Sequence, residues 1–139
     1  MREILFRGKR VDNGEWIQGD IVQFPVHGVV RIVEQEPSYK DAEVDSDTVG
    51  QYTGLTDKNG KKIFEGDIIH LEYSQVFFGG EYFGEYTAEV SYKEGCFITN
   101  GINNGDEIET PLSGFDNDEL EIIGNIHDNP ELLGGESDG

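Results

Sequence analysis

The sequence holds one cysteine, four prolines and no apolar run near the roughly 18 residues that a membrane-spanning helix needs. The single thiol, Cys96, excludes an internal disulfide and any cluster of thiolate ligands, and it fits a reducing setting. With Phe97 and Ile98 beside it, Cys96 reads as a small buried hydrophobe, and no motif pairs it with a base. The start, Met1-Arg2-Glu3-Ile4-Leu5-Phe6-Arg7, lacks the apolar core of an export signal, so a cytoplasmic protein away from membranes is expected. Basic residues are also scarce. Ten Lys and Arg stand against 29 Asp and Glu, a formal net charge of -19. Most of such a surface repels phosphate backbones and anionic membranes, so no direct nucleic-acid contact is expected. The few bases are unevenly spread: Arg2, Arg7, Lys9 and Arg10 crowd the first ten residues, and none follows Lys93.

At 139 residues the chain has the size of one compact domain, and one domain over 1–139 is expected. Its 19 glycines point to many tight turns. Apolar residues recur with period two, as in Val29-Val30-Arg31-Ile32-Val33 and Ala88-Glu89-Val90-Ser91-Tyr92, which predicts strands. Strands are expected near 3–9, 15–24, 28–35, 62–73, 86–93, 96–99 and 120–127. Asn-Gly occurs at Asn13-Gly14, Asn59-Gly60, Asn100-Gly101 and Asn104-Gly105, each a predicted hairpin tip. The charged stretch Glu36 to Asp47 is expected to be a mobile surface loop. Near the end, Asn129 and Pro130 predict a short capped helix that tucks Leu132 and Leu133 onto the core before a frayed acidic tail at 134–139.

An internal echo links Asn13-Gly14-Glu15-Trp16-Ile17-Gln18-Gly19-Asp20-Ile21 to Asn59-Gly60-Lys61-Lys62-Ile63-Phe64-Glu65-Gly66-Asp67-Ile68. Its shared core is a turn, an aromatic residue, Gly-Asp and a departing strand. Gly19, Asp20, Asn59, Gly60, Gly66 and Asp67 are therefore expected to be structural turn residues, glycine taking conformations closed to other residues and aspartate bonding local amides. Such units suit the bent strands of small barrels. The expected fold is mainly β, in small, mostly antiparallel, barrel-like sheets with one short C-terminal helix.

The block Gly50-Gln51-Tyr52-Thr53-Gly54-Leu55-Thr56-Asp57-Lys58-Asn59-Gly60-Lys61-Lys62-Ile63-Phe64-Glu65-Gly66-Asp67-Ile68-Ile69 closely resembles the central signature of the YopX-like phage proteins. Two further pieces agree in order: Ile4-Leu5-Phe6-Arg7-Gly8 followed by Trp16, and Glu121 to Leu133 with Gly124-Asn125-Ile126-His127-Asp128-Asn129-Pro130 at its centre. Residues 36–47 and 74–86 are left as variable loops. The resemblance implies a protein of phages or prophages of Gram-positive bacteria, mostly antiparallel β with barrel-like sheets, and prone to homo-oligomerise. It carries over no activity, catalytic residue or ligand.

The residues themselves assign no catalytic, cofactor-binding or metal-binding position. Gly79-Gly80-Glu81-Tyr82-Phe83-Gly84 lacks the Lys-Ser/Thr ending of a phosphate loop. In Asp57-Lys58-Asn59-Gly60-Lys61 a lysine stands where a calcium loop needs an oxygen ligand. Asp116-Asn117-Asp118-Glu119 reads as an exposed acidic turn, and His27, His70 and His127 are too dispersed to show ligand spacing. The distinctive segment is aromatic. Phe77, Phe78, Tyr82, Phe83 and Tyr86 crowd a glycine-hinged stretch that a monomer of this size would struggle to bury, and they form the candidate interface. The expected function is a non-enzymatic, self-associating interaction module that uses no cofactor, whose partners are itself and possibly a host protein. The alternative is an acidic DNA mimic that inhibits a host DNA-binding enzyme.

Overall fold

The period-two pattern becomes strand in the computed structural model, which describes residues 3–24, 27–34, 39–103 and 105–133, with backbone alone at 75–77 and 103. In chain order the strands are β1 (Phe6–Lys9), β2 (Trp16–Phe24), β3 (Val29–Val33), β4 (Asp41–Val44), β5 (Gly50–Thr56), β6 (Lys62–Phe64), β7 (Asp67–Phe77), β8 (Gly80–Lys93), β9 (Cys96–Asn103), β10 (Asp106–Pro111) and β11 (Leu120–Asn125). They form two antiparallel sheets, ordered β4-β3-β2-β1-β5-β6 and β10-β9-β8-β7-β11. The chain divides into two compact units, Met1–Gly54 and Leu55–Gly139, and the boundary falls inside β5.

In the first unit, Asn13-Gly14 turns β1 into β2 as its sequence predicts. Lys9 pairs with Trp16, Gly14 N–H donates to the Arg10 carbonyl at 2.9 Å, and the Asn13 side chain accepts from Glu15 N–H at 2.9 Å. Ile17, Ile32, Ala42 and Val44 make the core, with Phe6, Val30 and Val49 packed against it. Gly19 and Asp20, expected in a turn, lie inside β2, where pairing passes from β1 (Phe6 with Gly19) to β3 (Asp20 with Val33). The glycine there answers to crowding: a Cβ on Gly19 would lie 2.1 Å from the Val33 carbonyl oxygen.

The expected mobile loop at 36–47 is corrected in part. Residues 36–38 lie outside the described residues, but Asp41–Val44 is β4, paired with β3. Ala42 and Val44 turn into the core while Asp41 and Glu43 face water, so the charges hide a short alternating strand.

The second unit is built on the meander β7 to β10, with β11 added beside β7. One face of its sheet supplies Ile69, Leu71, Tyr86, Ala88, Val90 and Leu120, all buried, and Ile63 and Leu112 pack against them. Burying such a side chain stabilises by about 1.5–3 kcal/mol, so this face dominates the unit. The single strand expected over 62–73 is two strands, because the turn Glu65-Gly66 separates β6 from β7. Asn100-Gly101 is likewise not a tip: Gly101 sits in β9 between Ala88 and Ile108. The last pair does flank a turn, with Asn103 opposite Asp106 and Gly105 at φ 85°, while Asn104 lies outside the described residues.

Two expectations about architecture are corrected. The sheets are open and do not close into a barrel: β10 and β11 end one order and β4 and β6 the other, and closure requires the end strands to bond to each other. In place of a C-terminal helix there is one 3-10 turn, Pro130–Leu132. Asn129 does not cap it, because its Oδ1 accepts from Asn125 N–H at 3.2 Å and so fastens the segment back to β11. The expected acidic tail, 134–139, lies outside the described residues.

Candidate functional site

The signature block is held by two buried carboxylates. Asn59 and Gly60 occupy the turn between β5 and β6, where Asp57 N–H donates to the Lys61 carbonyl at 2.9 Å and Gly60 N–H to the Asp57 carbonyl at 2.9 Å. The Asp57 side chain, 1% exposed, accepts from Asn59 N–H (2.9 Å) and Lys61 N–H (3.0 Å) through Oδ1 and from Ile122 N–H (3.0 Å) through Oδ2. It thereby ties the turn to β11. Burial alone would push this carboxyl up, but the N–H groups of Ile122, Lys61 and Asn59, with the Lys61 charge, hold it below the usual carboxylate range. Asp67, also buried, accepts from Phe64 N–H at 2.7 Å. Between them Gly66 adopts φ 94°, donates its N–H to the Val90 carbonyl at 2.8 Å and accepts from Ile126 N–H at 2.9 Å. These polar groups bond inward to backbone.

The aromatic segment behaves differently. Strands β7 and β8 form a hairpin turned at Phe78-Gly79, with Phe77 opposite Gly80. Tyr86 belongs to the core, opposite Leu71, whereas Phe78, Phe83 and Tyr82 are 104%, 77% and 54% exposed. The side chain of Phe77 lies outside the described residues. Strand β11 pairs with β7 only over Asp67–Leu71, and β9 pairs with β8 only over Ala88–Lys93. Among the described residues, 72–77 and 80–85 thus pair only with each other. About six rungs, roughly 20 Å of ribbon, have both outer edges unpaired.

At the root of this ribbon lies a cleft of about 510 Å³. Tyr73, Tyr86, Ile108 and Phe115 are its apolar lining, with Asp116 and Glu119 among its polar residues. Tyr73 and Tyr86 meet edge to face at 6.1 Å. Two 3-10 turns, Leu112–Gly114 and Asn117–Glu119, carry one side of it, and the Glu119 carboxylate accepts from Asp116 N–H at 2.8 Å. The size suits a small ligand or an inserted side chain, and aromatic faces beside carboxylates favour a cationic group.

Among the described residues, the one group of side chains placed to hold a metal has His70 as its single histidine, with Glu72 and Glu85. Cys96, expected to be buried, is exposed, because it is the first residue after the two-residue turn Glu94-Gly95. Arg7 and Lys9 lie over the Trp16 ring at 4.7 and 5.8 Å, and Arg10 pairs with Asp12 at 2.8 Å. No described helix is long and apolar enough to cross a membrane.

The family described as YopX protein matches residues 5–134, through both units. The crystal structure of protein EF1440 from Enterococcus faecalis is similar over 96% of this chain and 100% of that one, with a TM-score of 0.57 and 24% identity, a likeness of fold. No curated protein matches the chain.

Proposed function

The chain belongs to the YopX family, and from that premise we propose that it is a non-enzymatic, self-associating interaction module of phage or prophage origin that acts in the host cytoplasm. The observation that supports this reading is the outer half of the β7–β8 hairpin. A two-stranded ribbon is marginally stable alone, and one with bare edges and exposed aromatic rings invites a partner. Phe78, Tyr82 and Phe83 supply the apolar anchors, and Glu72, Glu81 and Glu85 surround them with negative charge. No Lys or Arg occurs between Lys62 and Lys93, so a phosphate backbone is disfavoured as the partner, and contact through the rings has to outweigh charge repulsion.

The favoured occupant is a second copy of the chain, joined through these rings. Head-to-tail pairing by the basic N-terminal residues has less support, since Arg7, Lys9 and Arg10 already contact Trp16 or Asp12. The expected result is that the double variant Phe78→Ser, Phe83→Ser shifts the mass measured by light scattering toward the monomer. Two buried aromatics contribute about 1.5–3 kcal/mol each, which corresponds to a dissociation constant weakened by roughly a hundredfold or more. A wild-type chain that remains monomeric at high concentration removes this reading. The DNA-mimic alternative draws on the net charge of -19, and capture of a host DNA-binding enzyme would favour it.

A further inference from the structure

Strand pairing brings one histidine and two glutamates together on the hairpin. In the β7–β8 register Glu72 lies opposite Glu85 and His70 opposite Thr87. Directly opposed residues share a face, and so do residues two apart on a strand. His70, Glu72 and Glu85 therefore stand on the face turned away from Leu71 and Tyr86, which are buried in the core. His70 Nε2 is 3.9 Å from Glu72 Oε2 and 3.8 Å from Glu85 Oε2, and the three donor atoms all lie within 4.8 Å of one another. These separations are too long for hydrogen bonds.

From this convergence we infer that His70, Glu72 and Glu85 bind a first-row divalent cation, with zinc as its representative. Two features separate the group from a plain acidic patch. The imidazole nitrogen is a ligand for zinc and its neighbours in the series, whereas calcium and magnesium take oxygen. The directly opposed glutamates also repel each other across the strands, a cost that a shared cation removes. Among the described residues His70, which carries charge only when protonated, is the one basic side chain within 4 Å of either, since Lys58 bridges to Glu121, the residue opposite His70 on β11, at 3.3 Å.

Metal–ligand bonds of about 2.0–2.2 Å put the donors of a tetrahedron roughly 3.3 Å apart. The present spacing closes to that value by rotation of the two exposed glutamate side chains, with no change in strand register. Three protein ligands leave a fourth position for water. The cation would join β7 to β8 at the rung where the ribbon leaves the rest of the sheet, while the site itself does not depend on self-association.

Calorimetric titration of the full chain with zinc chloride, in excess calcium to occupy general acidic sites, tests the inference. One zinc site per chain is expected, weakened at least about tenfold by His70→Gln and, separately, by Glu85→Gln, as loss of a metal–ligand bond requires. Glu85 is exposed and His70 half-buried, and circular dichroism checks that the fold is kept in both variants. Cobalt substituted for zinc should give the visible absorption of a low-coordinate site in the wild type and lose it in His70→Gln. The Phe78→Ser, Phe83→Ser chain should bind zinc as the wild type does, whatever its mass. Equal zinc affinity in wild type and both ligand variants, or no zinc binding in excess calcium, overturns the inference.

Discussion

Replacing Asp57 with alanine is expected to destabilise the second unit by about 3 kcal/mol, among the largest losses open to a single substitution in this chain. The variant strips the acceptor from three backbone N–H groups at once, those of Asn59, Lys61 and Ile122. Two of these lie in a turn that water can reach, so they recover part of the loss. The Ile122 N–H belongs to β11 and joins segments 65 residues apart. Asp57→Asn should cost less, about 1–2 kcal/mol, because one carboxylate oxygen becomes an amino group aimed at an N–H donor. Chemical denaturation followed by far-ultraviolet dichroism measures both, and an alanine variant within about 0.5 kcal/mol of wild type would refute the role given to this carboxylate.

Acid supplies a second readout. The Asp57 carboxyl is held below its ordinary range in the fold, so its contribution is fully present above the unfolded value, near 3.9, and is lost as pH falls through the lower folded value. Glu89 acts in the opposite sense, because burial raises its carboxyl, so ionising it costs stability above its unfolded value. The wild type should therefore lose stability below about pH 4 more steeply than Asp57→Asn does.

Gly66→Val should be comparably damaging, by about 2–4 kcal/mol, since φ 94° is closed to a β-branched residue and both backbone groups are committed to Val90 and Ile126. Gly19→Val should also destabilise, for a different reason. Its φ is ordinary, but its side chain would collide with the β3 backbone at Val33. The two positions differ in kind: at Gly19 the first added carbon already clashes, whereas at Gly66 the positive φ alone costs any other residue about 1–2 kcal/mol. Thermal melts of both variants check this, and a Gly66→Val protein with wild-type stability would remove the structural account of the signature.

Turn chemistry was the legible part of the fold. Asn13-Gly14 and Asn59-Gly60 mark real tips because no neighbouring strand demands their residues for pairing. Asn100-Gly101 carries the same dipeptide, yet Gly101 is pressed against the Thr87 carbonyl, so packing and not the turn selects glycine there. Strands β4 and β10 escaped notice because each shows few inward apolar residues, Ala42 and Val44 in one and Ile108 in the other, among exposed acids. Among the aromatics, composition could not tell Tyr86 from Phe83; the parity of the hairpin does. The same parity hid His70, Glu72 and Glu85, whose meeting follows only once Phe77 is known to face Gly80.

The order β10-β9-β8-β7-β11 also sets a sequence of events in time. Neighbours from β7 to β10 are joined by tight hairpins whose loops close quickly, whereas β11 must return to β7 with Leu120 opposite Leu71, at a larger entropic cost of closure. The meander is thus the part able to assemble early, and the Asp57 clamp onto Ile122 forms after it. In stopped-flow experiments Asp57→Ala should accordingly speed unfolding and leave refolding almost unchanged. A slowed refolding phase would instead put β11 in the nucleus. A chain that fastens β11 late keeps the edge of β7 bare while the meander is already folded, and for that interval the unpaired N–H and C=O groups of β7 are open to any competing strand.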